Sequence, residues 1–317
     1  MKRYAIGIDV GGTNTKFGVV DPEGTILVQD RILTHSDAPV EQFIASLSTK
    51  LKPMIEQYGG VDSFIGIGMG APNANYYKGT IEYAANLKEW KGIVPMADLM
   101  QKEFGIPTKL TNDANAAAVG EMMYGVTKGM KHFITITLGT GVGSGIVIDG
   151  KIVLGCDGFA GELGHVTVRP GGRLHKGTGM KGTLETYASA TGVRETVLEF
   201  LRENANETSL LRNYKEEDIT SEVVYNCAIQ GDAIAKKTFE FTGQILGEAL
   251  ATFVLFSSPE AIVLFGGLTK AGDLIMEPTR KAMEDNILTA FKGKVKLLVS
   301  TLKEADAAIL GASALVW

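Results

Sequence analysis

The chain contains little cysteine, no excess of basic residues and no long uninterrupted apolar segment. Its 317 residues include two cysteines, Cys156 and Cys227, which stand far apart in the sequence, so a disulfide scaffold is excluded and a reducing cytoplasm is the expected compartment. The formal net charge of -5 argues against a nucleic-acid partner, which would favour a basic face. The richest apolar stretch, residues 245–256, is too short to cross a membrane and contains Glu248. The N-terminal apolar run ends at Asp9, too early for a signal peptide, and we expect neither a targeting segment nor a membrane span.

The chain also lacks the two commonest glycine-rich nucleotide signatures. It has no GxxxxGK[ST] loop, and none of its glycine clusters leads from a strand into a helix as a dinucleotide fingerprint does. It has instead two glycine-rich hairpins, DVGGTNTKFG at 9–18 and LGTGVGSG at 138–145, each inside an apolar run. Glycine lets a turn approach a bulky anion closely, and free backbone N–H groups can then bind the oxygens of that anion. The pair predicts two turns that hold one polyphosphate, and the alternative is that each is only a tight turn.

The two hairpins align with each other when the chain is shifted by about 128 residues. Ile8 then matches Ile136, and Gly11 matches Gly139. Both hairpins are followed by turn signals, DPEG at 21–24 and DG at 149–150. This pattern is typical of a duplicated β-domain.

The remaining sequence alternates between strand and helix patterns, which predicts an α/β fold with central sheets. The apolar content of 45% and the length suit two globular domains. A strand over 64–70 carries glycine at every second position, so one of its faces must lie against backbone or ligand. Further expected elements are a β-meander at 4–33, helices at 38–58, 98–104, 112 onward, 232–256 and 305–316, strands at 108–111 and 261–265, a loop at 155–182 and an exposed helical insertion at 203–220.

Five motifs that occur in order along nearly the whole chain together resemble the ROK family of bacterial sugar kinases and repressors. They are DVGGT at 9–13, NDANA with GE at 112–121, LGTGVG at 138–143, GELGH at 161–165 and FGG at 265–267. The resemblance implies the two-domain actin-like ATPase fold of the actin, Hsp70 and hexokinase superfamily, with a cleft between the domains. It implies a small domain of residues 1–115 plus 303–317, a large domain of residues 116–302, and a homodimer. The family's repressors carry a helix-turn-helix before the first hairpin, and because that hairpin begins near residue 4 here, we expect the kinase branch.

The resemblance places the catalytic aspartate of the family at Asp113. Phosphoryl transfer to a hydroxyl needs a base for the proton, and Asp113 stands with Asn112 where a strand changes into a helix. We expect the helix dipole to keep this carboxylate ionised. The alternative is that Asn112 and Asp113 only cap the helix.

The resemblance also assigns the sugar-binding side chains. Glu162, His165 and Glu185 fall on positions that hold sugar hydroxyls in the family, together with Asn112 and Asp113. Carboxylates are suitable acceptors for adjacent hydroxyls. The alternative for His165 is a structural histidine. Asn86, in a motif that ends at Trp90, is a further sugar contact, whereas we expect Trp90 to pack in the core.

The nucleotide is expected to bind at both hairpins. Gly11, Gly12 and Thr13 are assigned to one part of the phosphate chain, and Thr140 with Gly141 to the other. Asp9 would organise Mg²⁺ through water, because a hard cation bound to ATP keeps several waters. Lys16 could reach a phosphate, and a solvated or paired lysine is the alternative. Gly266 and Gly267 resemble the turn that flanks the adenosine.

The chain departs from the family at one site. Many members have a CxCGxxGC cluster that binds zinc together with the histidine of the GELGH motif, but residues 172–185 contain no cysteine here. Structural zinc takes about four thiolate or imidazole ligands. Because His165 and His175 cannot supply four, we expect no structural zinc.

The resulting hypothesis is an ATP-dependent hexose kinase. Its simplest form is a glucokinase that makes glucose 6-phosphate, with N-acetylglucosamine or mannose as further substrates of a broad-specificity enzyme. Kinases for N-acetylmannosamine or fructose are alternatives. A non-enzymatic sugar-binding regulator of the same fold is another, and so is a polyphosphate-dependent kinase.

Overall fold

The computed structural model describes residues 3–317, with residues 304 and 305 described by their backbone alone. The strands, numbered in chain order, are β1 Tyr4–Val10, β2 Asn14–Val20, β3 Ile26–Leu33, β4 Phe64–Gly70, β5 Ala74–Asn75, β6 Thr80–Glu82, β7 Ile93–Val94, β8 Thr108–Thr111, β9 Phe133–Leu138, β10 Val142–Ile148, β11 Lys151–Ile152, β12 Ala261–Phe265 and β13 Lys296–Val299. The helices are α1 Val40–Gln57, α2 Met96–Phe104, α3 Asp113–Tyr124, α4 Glu185–Ala188, α5 Ala190–Glu203, α6 Ser221–Ile229, α7 Ala233–Ser257, α8 Asp273–Asn286 and α9 Glu304–Ser313.

The two large sheets have the same topology. One has the strand order β3-β2-β1-β4-β8 and the other has the order β11-β10-β9-β12-β13. In the first sheet, β1 pairs in parallel with β4, and β4 pairs in parallel with β8. In the second sheet, β9 pairs in parallel with β12, and β12 pairs in parallel with β13. The β-domain that the repeated hairpins predict is therefore present twice, since β1 and β9, and likewise β2 and β10, hold equivalent places. A third, small sheet has the order β5-β6-β7.

The alternating glycines of β4 face the C-terminal helical segment. A side chain at Gly68 would overlap the backbone carbonyl of Ala312, and one at Gly66 would lie 2.8 Å from the Cβ of Val316. Gly7 of β1 lies equally close to the backbone of Ile309. The side-chain-free face of the sheet therefore packs against backbone, as the sequence predicted.

The residues form two compact units. One contains residues 3–131, 145–161 and 300–317, and the other contains residues 132–144 and 162–299. The grouping places α3 and α9 in the first unit. The domain division expected from the family resemblance, at residues 115, 116, 302 and 303, stays a prediction.

The core of the first unit lies between its sheet and α1 and α2. Phe17, Phe43 and Phe64 are fully buried there. Trp90 is also buried, and its ring centroid lies 4.9 Å from that of Phe43. Trp90 thus packs in the core, as expected from the sequence.

Helix α7 is the long apolar element of the second unit. By length and composition alone it could cross a membrane, but 61% of its most apolar window is buried inside the protein. It begins at the predicted residue, because the Asp232 side chain accepts a hydrogen bond from the Ala235 N–H at 2.9 Å. Its apolar length is explained by packing against neighbouring helices of the same unit, α5 and α8.

The segment 203–220 differs from the helical insertion that its sequence suggested. Within it the structure has two single 3-10 turns, Leu210–Asn213 and Glu216–Asp218. One carboxylate oxygen holds the segment, because Oδ2 of Asp232 accepts hydrogen bonds from both the Ser209 hydroxyl and the Leu210 N–H. A side chain from outside the segment therefore fixes it, which local sequence could not indicate.

Candidate active site

The first glycine turn is fixed by a buried threonine from the end of β3. The Thr34 hydroxyl donates to the carbonyl oxygen of Gly11 at 2.6 Å, and its N–H donates to the carbonyl of Thr13 at 2.9 Å. The Thr15 hydroxyl lies 2.9 Å from that of Thr34, and both side chains are buried. Because the Thr34 hydrogen is used on Gly11, Thr15 donates to Thr34. Sequence reasoning missed Thr34, whose only signal is a polar residue directly after an amphipathic strand.

Asp9 is the next-to-last residue of β1 and lies beside this turn. Its cross-strand partners are Lys16 on β2 and Gly70 on β4. Burial raises the pKa of Asp9 to about 6, with a further contribution from the negative charge of Asp113, while Lys16 opposes the rise. Gly70 has no side chain to separate the two acids, since a Cβ there would lie 3.6 Å from the Asp113 Cα. The first turn is therefore adjacent to a pair of carboxylates.

Asn112 and Asp113 have different roles at the start of α3. Asn112 is the cap, because its Oδ1 accepts the Asn115 N–H at 2.6 Å. Asp113 is the first helical residue, and its Oδ1 accepts the Ala114 N–H at 2.8 Å. The capping interpretation thus accounts for Asn112, whereas the Asp113 carboxylate bonds to the N–H of Ala114 and to its own N–H.

The pKa of Asp113 changes in the direction opposite to the one the helix dipole suggested. Its side chain reaches solvent, but the dense protein around it removes enough water to raise its pKa, and this effect exceeds the lowering by the Ala114 N–H. Burial therefore acts against the helix end on the Asp113 carboxylate, an effect that the sequence did not indicate. A carboxylate with a raised pKa is a stronger proton acceptor, which suits a general base.

Asn86 lies against the first turn. A Cβ at Gly12 would be 3.3 Å from the Asn86 Cβ and 3.6 Å from its Nδ2. The first unit therefore gathers Asp9, the 11–13 turn, Asn86 and Asp113, which are far apart in sequence. Lys16 projects from β2 with an exposed side chain, and its ammonium group has no hydrogen-bond partner among the residues that the structure describes.

The second glycine turn is held by the start of α5. The Gly139 N–H donates to the Gly141 carbonyl at 3.0 Å across the turn. The carbonyl of Gly139 accepts the Ala190 N–H at 2.9 Å, and that of Thr140 accepts the Thr191 hydroxyl at 3.2 Å. The carbonyls are thus occupied by α5.

Glu185 contacts the second turn directly. Its Oε2 accepts the Val142 N–H at 2.7 Å. A Cβ at Gly141 would overlap this same oxygen, so only glycine leaves room for the carboxylate. The other oxygen, Oε1, lies 2.5 Å from Nε2 of His175. A predicted sugar-binding carboxylate and a predicted phosphate-binding turn are therefore in contact.

The GELGH motif lies beside the same turn. It forms a 3-10 turn, Leu163–His165, which is tied to β10 by the Leu163 N–H donating to the Ser144 hydroxyl at 3.0 Å. Nδ1 of His165 lies 3.2 Å from Oε2 of Glu162, and the rings of His165 and His175 are 5.5 Å apart. Glu162, His165 and Glu185 thus come together in the second unit. A pocket of about 490 Å³ has Thr140, Gly141, His175 and Glu185 in its wall, whereas Glu162 and His165 do not line it.

The FGG turn follows β12 and meets the end of β9. Gly266 has φ 108° and lies against the backbone of Leu138, so a side chain there would be both strained and blocked. A Cβ at Gly267 would meet nothing within 4 Å. The turn therefore comes close to the glycines at 139–141 and leaves the surface at Gly267 open.

Arg173 supports this region and was missed in the sequence. All five of its N–H groups are used: on both carboxylate oxygens of Glu199, on the carbonyls of Thr186 and Gly192, and on the Thr196 hydroxyl. Its guanidinium also lies 4.5 Å from the Tyr187 ring centroid. Only the tertiary structure distinguishes this arginine from a solvated one.

Two metals implied by the family can be tested against these residues. The Asp9 carboxylate beside Asp113 is a hard oxygen donor of the kind that Mg²⁺ prefers, and fits such an ion. The zinc of other members would have to use His165, His175 and Glu185, whose ligand atoms lie within 4.8 Å of one another. This set does not fit a structural zinc, because it has three members, none of them a thiolate, and His175 and Glu185 bond to each other.

The duplicated sheets and the glycine turns define the two-domain actin-like ATPase fold. The family model described as ROK family matches residues 5–317, and the chain belongs to this family. The chain is 35% identical to a glucokinase of Halalkalibacterium halodurans over 316 aligned residues. The alignment covers 99% of this chain and 95% of that protein. The structure of a ROK family glucokinase from Streptomyces griseus, in complex with glucose and AMPPNP, superposes with a TM-score of 0.78 at 31% identity and 99% coverage of both chains. The DNA-binding transcriptional dual regulator NagC of Escherichia coli is 26% identical over 99% of this chain and 75% of its own length.

Proposed function

We propose that the protein is an ATP-dependent hexose kinase, most simply a glucokinase. The observation that carries this proposal is the contact between Glu185 and the 139–141 turn. The carboxylate, which is suited to sugar hydroxyls, accepts the N–H of Val142 directly after this turn and lies against Gly141 within it. A hydroxyl bound at the first is therefore next to a phosphate bound at the second, which is the arrangement that phosphoryl transfer requires.

We assign the candidate side chains the following roles in the proposed reaction. In the second unit, Glu162, His165 and Glu185 accept and donate hydrogen bonds with the sugar hydroxyls. In the first unit, Asn86 and Asn112 provide side-chain amides, and Asp113 takes the proton of the attacking hydroxyl. Burial raises its pKa, which makes the carboxylate a stronger proton acceptor.

The nucleotide groups follow from the two turns. Gly11, Gly12 and Thr13 offer backbone N–H groups to one part of the phosphate chain, and Thr140 with Gly141 offer theirs to another. Lys16 adds a cation beside the first turn, and the 266–267 turn flanks the adenosine. Asp9 would hold Mg²⁺ through water, and this ion supplies charge neutralisation for the transferred phosphoryl group.

The substrate proposal rests on the relatives. The Halalkalibacterium protein is a glucokinase, and the Streptomyces structure contains glucose and an ATP analogue. Glucose with ATP is accordingly the first pair to test, with N-acetylglucosamine and mannose next. We further propose a soluble cytoplasmic homodimer without a nucleic-acid partner.

The test is ADP release by the purified protein with Mg-ATP across a panel of hexoses, together with the Asp113→Ala variant. We expect turnover with glucose or a related hexose and its loss in the variant. Replacing ATP by polyphosphate separates the two donor classes. Absence of hexose-dependent turnover with either donor, alongside measurable hexose binding, would contradict the kinase and favour the sugar-binding regulator.

A further inference from the structure

His175 contacts Glu185 but has no role in the proposed reaction. It lies in the glycine-dense loop after the GELGH motif, ten residues before Glu185. Its side chain is 18% exposed and that of Glu185 is 20% exposed, so their contact is largely shielded from water. In this setting a hydrogen bond to a carboxylate is worth more than at an open surface.

The hydrogen bonds of His175 fix its tautomer. The backbone N–H of Thr178 points at Nδ1 from 3.0 Å, and the Thr178 hydroxyl lies 2.9 Å from the same atom. A nitrogen that accepts a backbone N–H carries no proton, so the ring proton of the neutral imidazole is on Nε2. That proton faces Oε1 of Glu185 at 2.5 Å. The bond therefore runs from Nε2–H of His175 to the Glu185 carboxylate.

Backbone hydrogen bonds close the loop around the ring. The His175 N–H donates to the Met180 carbonyl at 2.8 Å, and the Gly179 N–H donates back to the His175 carbonyl at 2.8 Å. A Cβ at Gly177 would lie only 3.1 Å from the ring. The loop thus holds the imidazole, and the imidazole in turn reaches Glu185.

Glu185 is consequently held at both oxygens. Val142 donates its N–H to Oε2, and His175 donates Nε2–H to Oε1. A carboxylate that is bonded at each oxygen cannot rotate, while each oxygen keeps a further lone pair for a ligand. We propose that His175 is a positioning residue that fixes the Glu185 carboxylate for the sugar hydroxyl by a direct hydrogen bond, in place of a metal ion. The proposal rests on the hexose-kinase function proposed above.

The experiment compares three substitutions that separate the two bonds of the ring. Glutamine at 175 places an amide N–H near the position of Nε2 and retains the donor to Glu185. Asparagine places its oxygen near Nδ1 and retains the acceptor for Thr178, but cannot reach Glu185. Alanine retains neither. The matched control is Lys181→Ala, in the same hairpin, since Lys181 is exposed and pairs with Leu174 through backbone alone.

We expect His175→Ala and His175→Asn to raise the KM for hexose about 10- to 100-fold, the loss typical of a hydrogen bond to a charged group, while the KM for ATP stays within about twofold. His175→Gln should remain within about threefold of the wild type in hexose KM, as should Lys181→Ala. Equal defects in the glutamine and asparagine variants, or a KM for ATP that rises as much as that for hexose, would show that His175 only supports the loop and would overturn the proposal.

A second measurement is independent of turnover. In ¹⁵N–¹H correlation spectra of the side-chain nitrogens, we expect the resonance of His175 to show a proton on Nε2 and an unprotonated Nδ1. The alternative is a bound metal, in which Nε2 carries none; stoichiometric zinc in the purified protein, with loss of hexose binding on chelation, would establish it and refute the direct bond. If the wild type phosphorylates no hexose but the tautomer is as expected, the proposed function fails while the His175–Glu185 bond stands.

Discussion

Replacing Asp113 by asparagine should lower kcat sharply and at the same time make the protein slightly more stable. Asparagine keeps an oxygen for the Ala114 N–H, so the start of α3 is preserved. It removes the proposed base and also the negative charge that raises the pKa of Asp9. Both consequences follow from replacing one carboxylate oxygen by an amide nitrogen at the first residue of α3, a helix that Asn112 already caps.

The magnitudes follow from the structure. Loss of general-base catalysis typically lowers kcat about 10²–10⁴-fold, or about 3–5 kcal/mol of transition-state stabilisation. The Asp9 pKa of about 6 lies roughly two units above its ordinary value, and burial contributes more to this rise than Asp113 does. Asp113→Asn removes only the part of this rise that comes from the Asp113 charge. This should stabilise the folded state on the order of 1 kcal/mol at neutral pH, or about 2–4 °C in Tm.

The sign of the pH dependence is also fixed. Asp9 and Asp113 have folded-state pKa values above their ordinary ones, so both favour the folded state when protonated. Their contribution is present below pH 4 and is lost as the pH rises, for Asp9 through about 6. Asp113→Asn should make this decline of Tm with pH shallower.

The assay combines steady-state kinetics with thermal unfolding between pH 4 and 8, and uses Asp232→Asn as the matched control. Asp232 also stands at a helix start, but it is buried and accepts three hydrogen bonds, from Ala235, Ser209 and Leu210. Its variant should lose about 1–2 kcal/mol of stability and keep its kcat. If Asp113→Asn instead lowered Tm and preserved kcat, Asp113 would be a structural cap and the assignment of the base would be wrong.

Three further predictions concern other buried contacts. The lysine of Arg173→Lys cannot reproduce five directed N–H bonds, and we expect the free energy of unfolding, measured by chemical denaturation, to fall by about 2–4 kcal/mol. A decrease below about 0.5 kcal/mol would show that the network is not formed. Gly141→Ala should displace the Glu185 carboxylate and raise the KM for hexose about tenfold or more, and an unchanged KM would contradict the contact. Burial raises the pKa of Glu121, so its contribution to stability falls as the pH rises above about 4.5. Glu121→Gln should therefore make Tm less dependent on pH between about 5 and 8. An unaltered slope of Tm against pH would assign that dependence to other groups.

Much of the local structure was predictable because it depends on residues close in sequence. The strands at 64–70, 108–111 and 261–265 have the predicted bounds, since apolar runs between turn signals specify short buried strands. Asp232 begins α7 as expected from a side chain that can accept the free N–H groups of a first turn. The repeat of two hairpins predicted a duplicated β-domain, and the equivalent strand orders of the two sheets confirm it.

The sequence by itself therefore determined much of the local structure, the family and the candidate residues, because these reside in patterns and motifs along the chain. The tertiary structure decided how those residues act on one another. Thr34 under the first turn, Arg173 with its five bonds and His175 against Glu185 contact partners up to 26 residues away. The raised pKa of Asp113 likewise depends on protein packed around it from distant segments, which exceeds the local effect of the helix end. Burial and pairing are properties of the folded assembly of segments, and no local pattern specifies them.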